Sequence, residues 1–130
     1  MYKPIREVPL TNGLTVRFFD ATRRYFGDYH KVRVKISCEV PVTPNLFDDA
    51  ASYETALKQL GKSVQYVKEV EQQGVPTADT TQAMEAIVRH FMAHSLGYFQ
   101  SEAFPRKFVQ SESKRVTGKA KRFMSIRMHG

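Results

Sequence analysis

His30-Lys31-Val32-Arg33-Val34-Lys35-Ile36-Ser37-Cys38-Glu39-Val40 alternates without a break between two kinds of side chain. Val32, Val34, Ile36, Cys38 and Val40 fall on one side, and Lys31, Arg33, Lys35, Ser37 and Glu39 on the other. A period of two places successive side chains on opposite faces, so this is a strand with one buried face and one turned to water or a partner. Cys38 sits at an apolar position of that pattern and reads as core, because a reactive thiol needs basic or helix-terminus neighbours to lower its pKa. As the only cysteine, it excludes an internal disulfide and a cysteine-based zinc cluster.

Upstream, Thr11-Asn12-Gly13-Leu14 separates the apolar-rich runs Ile5 to Leu10 and Leu14 to Asp20. Asn-Gly signals a tight hairpin, since a type I′ turn needs positive φ at both central residues. A second reversal near Phe26-Gly27-Asp28-Tyr29 leads into the alternating strand, and connections this short require an antiparallel meander. Two registers compete. A two-residue loop at Gly27-Asp28 puts Phe19 opposite Ile36, while one more residue puts Phe18 there and buries Leu14, Val16 and Phe18 together. The second register is the one expected.

From about residue 48 the period changes to that of a helix. Tyr53, Ala56, Leu57, Leu60, Val64 and Val67 form one stripe, Asp48 or Asp49 opens it, and Gly74, Val75 and Pro76 supply a left-handed cap and a stop. The Asp48-Asp49 pair is best explained by capping, where carboxylates meet unpaired amides. Asp79 and Gln82 have capping-box spacing before a second stripe of Met84, Ile87, Val88, Phe91 and Ser95, which should stop near Gly97. Joined by the short link from Gly74 to Ala78, the two helices should pack as an antiparallel hairpin on the strands' buried face. The fold class is thus α+β: two layers, an N-terminal three-stranded antiparallel meander on an antiparallel helical hairpin. Tyr98, Phe99, Phe104 and Phe108 are too many rings to leave in water, so residues 98–109 should lie across the body, with Pro105 starting a helical turn or marking a bend. Residues 110–121, rich in Ser, Lys, Arg, Thr and Gly, should be mobile, and Met124, Ile126 and Met128 hint at a short strand. Residues 1–109 are taken as a single α+β domain and residues 110–130 as a basic C-terminal arm.

Charge is divided unevenly. Residues 1–105 hold 12 Lys/Arg and 12 Asp/Glu, while Arg106, Lys107, Lys114, Arg115, Lys119, Lys121, Arg122 and Arg127 face only Glu112, so the chain's +7 resides in its last 25 residues. Clustered cations release condensed counterions when they meet a polyanion, which points to an anionic partner. Lys31, Arg33 and Lys35 make a second cationic surface on the open strand face, joined by Arg17 in the expected register and with Phe19 among them. Cations beside an aromatic ring suit single-stranded nucleic acid, although alternating Lys and Arg also keep an ordinary sheet surface soluble.

Other constellations are thinner. His90 and His94, four residues apart on a helix, have the spacing of a metal pair but lack a visible third ligand, so no metal or cofactor is expected. Thr117-Gly118-Lys119 lacks the strand, the earlier glycine and the following Ser/Thr of a phosphate loop. Ser111, Ser113, Thr117 and Ser125 lie among basic residues where phosphate could be accepted. No apolar run reaches spanning length and no leader is readable, so no membrane is expected and the location expected is cytoplasmic. The expected function is that of a non-enzymatic binding domain whose arm and strand face contact nucleic acid or an acidic protein surface. The alternatives are a self-associating homo-oligomer and a small metal-dependent enzyme using His90 and His94.

Overall fold

The computed structural model describes residues 2–129, with side chains described for residues 2–23 and 27–118. The chain forms two compact units, Met1–Glu39 with Gln65–Ser101 and Val40–Val64 with Glu102–Gly130. Its class is α+β.

The first unit is built on the antiparallel meander. Strand β1 (Lys3–Pro9) pairs with β2 (Thr15–Asp20), and β2 with β4 (Tyr29–Pro41). A short β3 (Arg23–Phe26) continues β2 along β4 after an interruption at Ala21, whose amide still donates to the Arg33 carbonyl at 2.8 Å. The sheet order is β1-β2-β4-β3. Asn12-Gly13 marks the first reversal, but the turn is longer than type I′: the Leu10 amide donates to the Leu14 carbonyl at 2.7 Å, and only Gly13 takes positive φ, at 88°. Asn12 instead uses its side chain, donating to the carbonyls of Phe99 and Ser101 and accepting from the Leu14 amide.

Both halves of the register argument are present in the second reversal. The loop is the two-residue one, with Phe26 opposite Tyr29, yet a register shift between Arg24 and Phe26 inserts the extra residue. Phe18 consequently lies opposite Ile36, and Leu14, Val16 and Phe18 are buried with Val32, Val34, Ile36 and Cys38. Burial along β4 alternates as its sequence does.

The largest departure concerns the first helix. It forms as α1 (Ala50–Leu60), with Asp49 as N-cap accepting from the Ser52 amide at 2.7 Å, but ends at Gly61 with φ 81°. Ser63–Pro76 then forms a fifth strand, β5, which also pairs with β4. The Thr77 amide, just past β5, donates to the Asp28 carbonyl just before β4 at 3.0 Å, so the two strands run antiparallel. Val64, Tyr66, Val67 and Val70 are β-branched or aromatic and favour a pleated surface, and β4 offered an edge that helix periodicity alone does not reveal. Gly74 does take positive φ, at 69°, but within β5, so the link from Gly74 to Ala78 joins a strand to a helix.

That helix, α2 (Thr80–His94), covers the sheet through Val88 and Phe91, the latter edge-to-face on Phe18 with ring centroids 5.6 Å apart. Asp79 occupies its N-cap position without a side-chain cap bond, so the capping box is not formed. It stops at His94 rather than Gly97, which falls inside a single turn, α3 (Leu96–Phe99). Phe99 is buried against Phe91 and Tyr66, whereas Tyr98, expected inside, is 53% exposed.

In the second unit, α1 packs on α4 (Ala103–His129), with Val40, Val42, Leu46, Ala56, Phe104 and Val109 buried. Of the two alternatives for Pro105 the helical turn is the one formed, in the first turn of α4, where its missing donor costs nothing. The Ser- and Lys-rich stretch 110–121, expected to be mobile, is helical and continues α4 without a break, and residues 124–128 fall within the same helix rather than in a strand. Packing explains this for the described half, since Phe104, Phe108 and Val109 hold the helix from its start and a helix once nucleated extends at low cost.

Candidate functional site

The basic segment is organised by the two faces of α4. Toward α1, the Gln110 side-chain amide donates to the Leu46 carbonyl at 2.9 Å, Ser113 donates to Gln59 Oε1 at 3.0 Å, and Gln59 Nε2 donates to Thr117 Oγ1 at 2.8 Å. Two of the four candidate phosphate acceptors, Ser113 and Thr117, are therefore tied into the α1 contact, and Ser125 lies outside the described side chains. Lys107, Ser111, Lys114 and Arg115 are exposed, with Lys114 at the margin of the α1 contact.

These cations differ in their freedom. Arg106 donates to Asp48 at 3.1 Å and toward the Asn45 carbonyl, and Arg115 holds Glu112 through both Nε and Nη2, at 3.0 and 2.7 Å. Lys107 and Lys114 pair with no carboxylate among the described residues. They stand seven residues, about 10.5 Å, apart along the axis, close to three phosphate steps of one strand. The side chains of Lys119, Lys121, Arg122 and Arg127 lie outside the described residues, although Lys121 and Arg122 repeat the seven-residue spacing in sequence. Lys114 itself lines a groove of about 430 Å³, together with Phe47, Asp48, Asp49, Ser52 and Gln110 among others. The amide and then the hydroxyl of Ser52 hold the Asp49 carboxyl below the usual carboxylate range, so the helix cap is charged.

The sheet surface, in the first unit, has a different balance. Lys31, Arg33 and Lys35 do share the exposed side of β4, and Arg17 joins them through the observed register. However, Arg17 is paired with Glu7 at 3.2 Å, and Arg33 is gripped by Glu69 and Glu71 of β5. The Lys35 ammonium lies 4.7 Å from the centre of the Tyr2 ring. Phe19 stands opposite Lys35. The carboxylates on Arg33 are not evident from helical periodicity, which Val64 and Val67 satisfy as a continuation of the α1 stripe although Ser63–Pro76 forms a strand. The alternation Glu69-Val70-Glu71 would have placed both acids on one strand face.

His90 and His94 do project from neighbouring turns of α2, their ring centroids 4.3 Å apart. Among the described residues no group of three or more His, Cys, Asp or Glu side chains is gathered to hold a metal ion. Among the described residues no helix is long and apolar enough to cross a membrane.

Comparison with protein-family models, curated proteins and solved structures finds no match to this chain.

Proposed function

We propose that the protein is a non-enzymatic, cytoplasmic binding protein that engages nucleic acid through the exposed cationic face of α4. The observation that carries this reading is the pair Lys107 and Lys114, exposed and without ion-pair partners among the described residues, on a helix held against α1 through Ser113 and Thr117. The strand face supports it less well, because Glu7, Glu69 and Glu71 already occupy Arg17 and Arg33. On α4, by contrast, every phosphate neutralised releases counterions without breaking an existing pair at these two lysines.

The test is a salt titration of binding to an oligo-dT single strand and to a mixed-sequence duplex. Five phosphate contacts give a slope of log K on log salt of roughly −3.5 on the single strand and −4.5 on the duplex. A variant with Lys107, Lys114, Lys119, Lys121 and Arg122 changed to Gln should bind more weakly with a shallower slope, its melting temperature staying near the parent's because exposed charges add little to stability. No measurable affinity at about 50 mM salt excludes nucleic acid and leaves an acidic protein surface as the partner.

Self-association has one observation in its favour. The 14-residue β5 pairs only with β4 among the described strands and carries Val67 at 51% exposure. A native mass that is concentration-independent and monomeric removes this reading.

A further inference from the structure

We propose that the groove between β5 and α2 is a binding site for a small amphipathic carboxylate. The groove encloses about 370 Å³ and lies wholly within the first unit, independent of the α4 surface. Its apolar lining comes from Val70 of β5 and from Ala86, Ile87 and Phe91 of α2. Phe91 is held from behind by Phe18 and Phe99, at 5.6 and 5.3 Å, so this part of the wall is preformed rather than assembled by a ligand. Preformed apolar clefts of roughly 300–1,000 Å³ with a few polar groups are typical small-molecule sites.

The polar groups select the ligand's charge. The charged residues along the groove are Lys68 and Glu71, with His90 as a further donor or acceptor, and the Glu71 side chain alternates to the strand face opposite that of Lys68. Glu71 is already bound by Arg33 on β4. Lys68 is exposed and pairs with no carboxylate among the described residues. An apolar trough with one uncommitted ammonium at its margin complements a short aliphatic tail ending in a carboxylate.

Octanoate is the probe, followed by amide chemical shifts of the full chain, with octanol as its neutral counterpart and hexanoate as the shorter one. Saturable octanoate shifts confined to β5 and α2 are expected. Each methylene buried adds up to about 0.8 kcal/mol, about fourfold in affinity, so hexanoate should bind up to about fifteenfold more weakly. Lys68→Gln should weaken octanoate about two- to fivefold, the range for an exposed ion pair, and leave octanol unchanged. Ala86→Phe, on the exposed side of α2, should fill the groove and abolish binding while the urea midpoint holds. No saturable shift with millimolar octanoate overturns the site. Octanol binding as tightly as octanoate, or Lys68→Gln binding octanoate like the parent, overturns the carboxylate assignment.

Discussion

Replacing Phe18 by Ala tests the register on which the first unit depends. Phe18 is fully buried, stands opposite Ile36 and meets Phe91 edge-to-face at 5.6 Å and 81°. Truncating a buried Phe costs about 3–5 kcal/mol, of which the lost aromatic pair accounts for about 0.5–1.5 kcal/mol. The neighbouring Phe19 lies on the other face, opposite Lys35 and only partly buried, so Phe19→Ala should cost no more than about 1 kcal/mol. Urea melts of the two variants, fitted with a common m-value, measure the difference directly. A slip of one residue exchanges the two faces, so the prediction is a contrast and not a single value. If Phe19→Ala proves the more damaging of the two, or Phe18→Ala costs less than about 1 kcal/mol, the register and the sheet core built on it are wrong.

Gly61 has φ 81° and ψ −160°, a region open essentially to glycine, so Gly61→Ala should destabilise by about 1–3 kcal/mol in denaturant melts. Gly97 lies in a helical turn with open space around its α-carbon, and the same change there should be neutral or slightly stabilising. Because the Asp49 carboxyl is held below its ordinary value, its contribution to stability is present above about pH 3.9 and is lost as pH falls through the lower folded value. The stability gap between the parent and Asp49→Ala, measured by thermal melts, should therefore be wide at neutral pH and close under strong acid. Cys38 is 1% exposed, and burial raises its thiol pKa against a smaller opposing effect of Arg17, so a thiol reagent should modify it only as fast as the native protein opens. Rapid stoichiometric labelling of the folded chain contradicts its place in the core.

What the sequence made legible was wherever one residue pattern admitted one physical solution. The His30–Val40 alternation has no helical counterpart, and β4 follows it residue by residue. The Asp49 cap and the Pro105 turn are equally local and form where their chemistry directs. Ser63–Pro76 was different, because Val64 and Val67 extend the stripe of Tyr53, Ala56, Leu57 and Leu60 while Val64, Tyr66 and Val70 also fit a strand. The choice between them rests on an edge of β4 supplied some thirty residues earlier, and on Gly61, whose positive φ closes α1 before the stripe ends. Residues 110–121 failed for the opposite reason. Their composition is that of a solvated chain, and helix formation there follows from the apolar anchor Phe104, Phe108 and Val109 placed ahead of them.

The same distinction governs the charges. Counting Lys and Arg located the basic segment, yet the count is blind to whether a cation already has a partner, and partners come from distant sequence. Arg33 meets Glu69 and Glu71, and Arg106 meets Asp48, pairs formed only once β5 and α4 are in place. A paired guanidinium must give up a carboxylate before it can take a phosphate, so its net gain on binding is reduced by the pair it breaks. An unpaired lysine loses only water and a diffuse counterion. On this ground the proposed binding favours the two exposed lysines of α4 over the arginine-bearing face of β4: under that proposal substituting Lys107 and Lys114 should shift the salt slope, whereas substituting Arg33 should mainly lower stability.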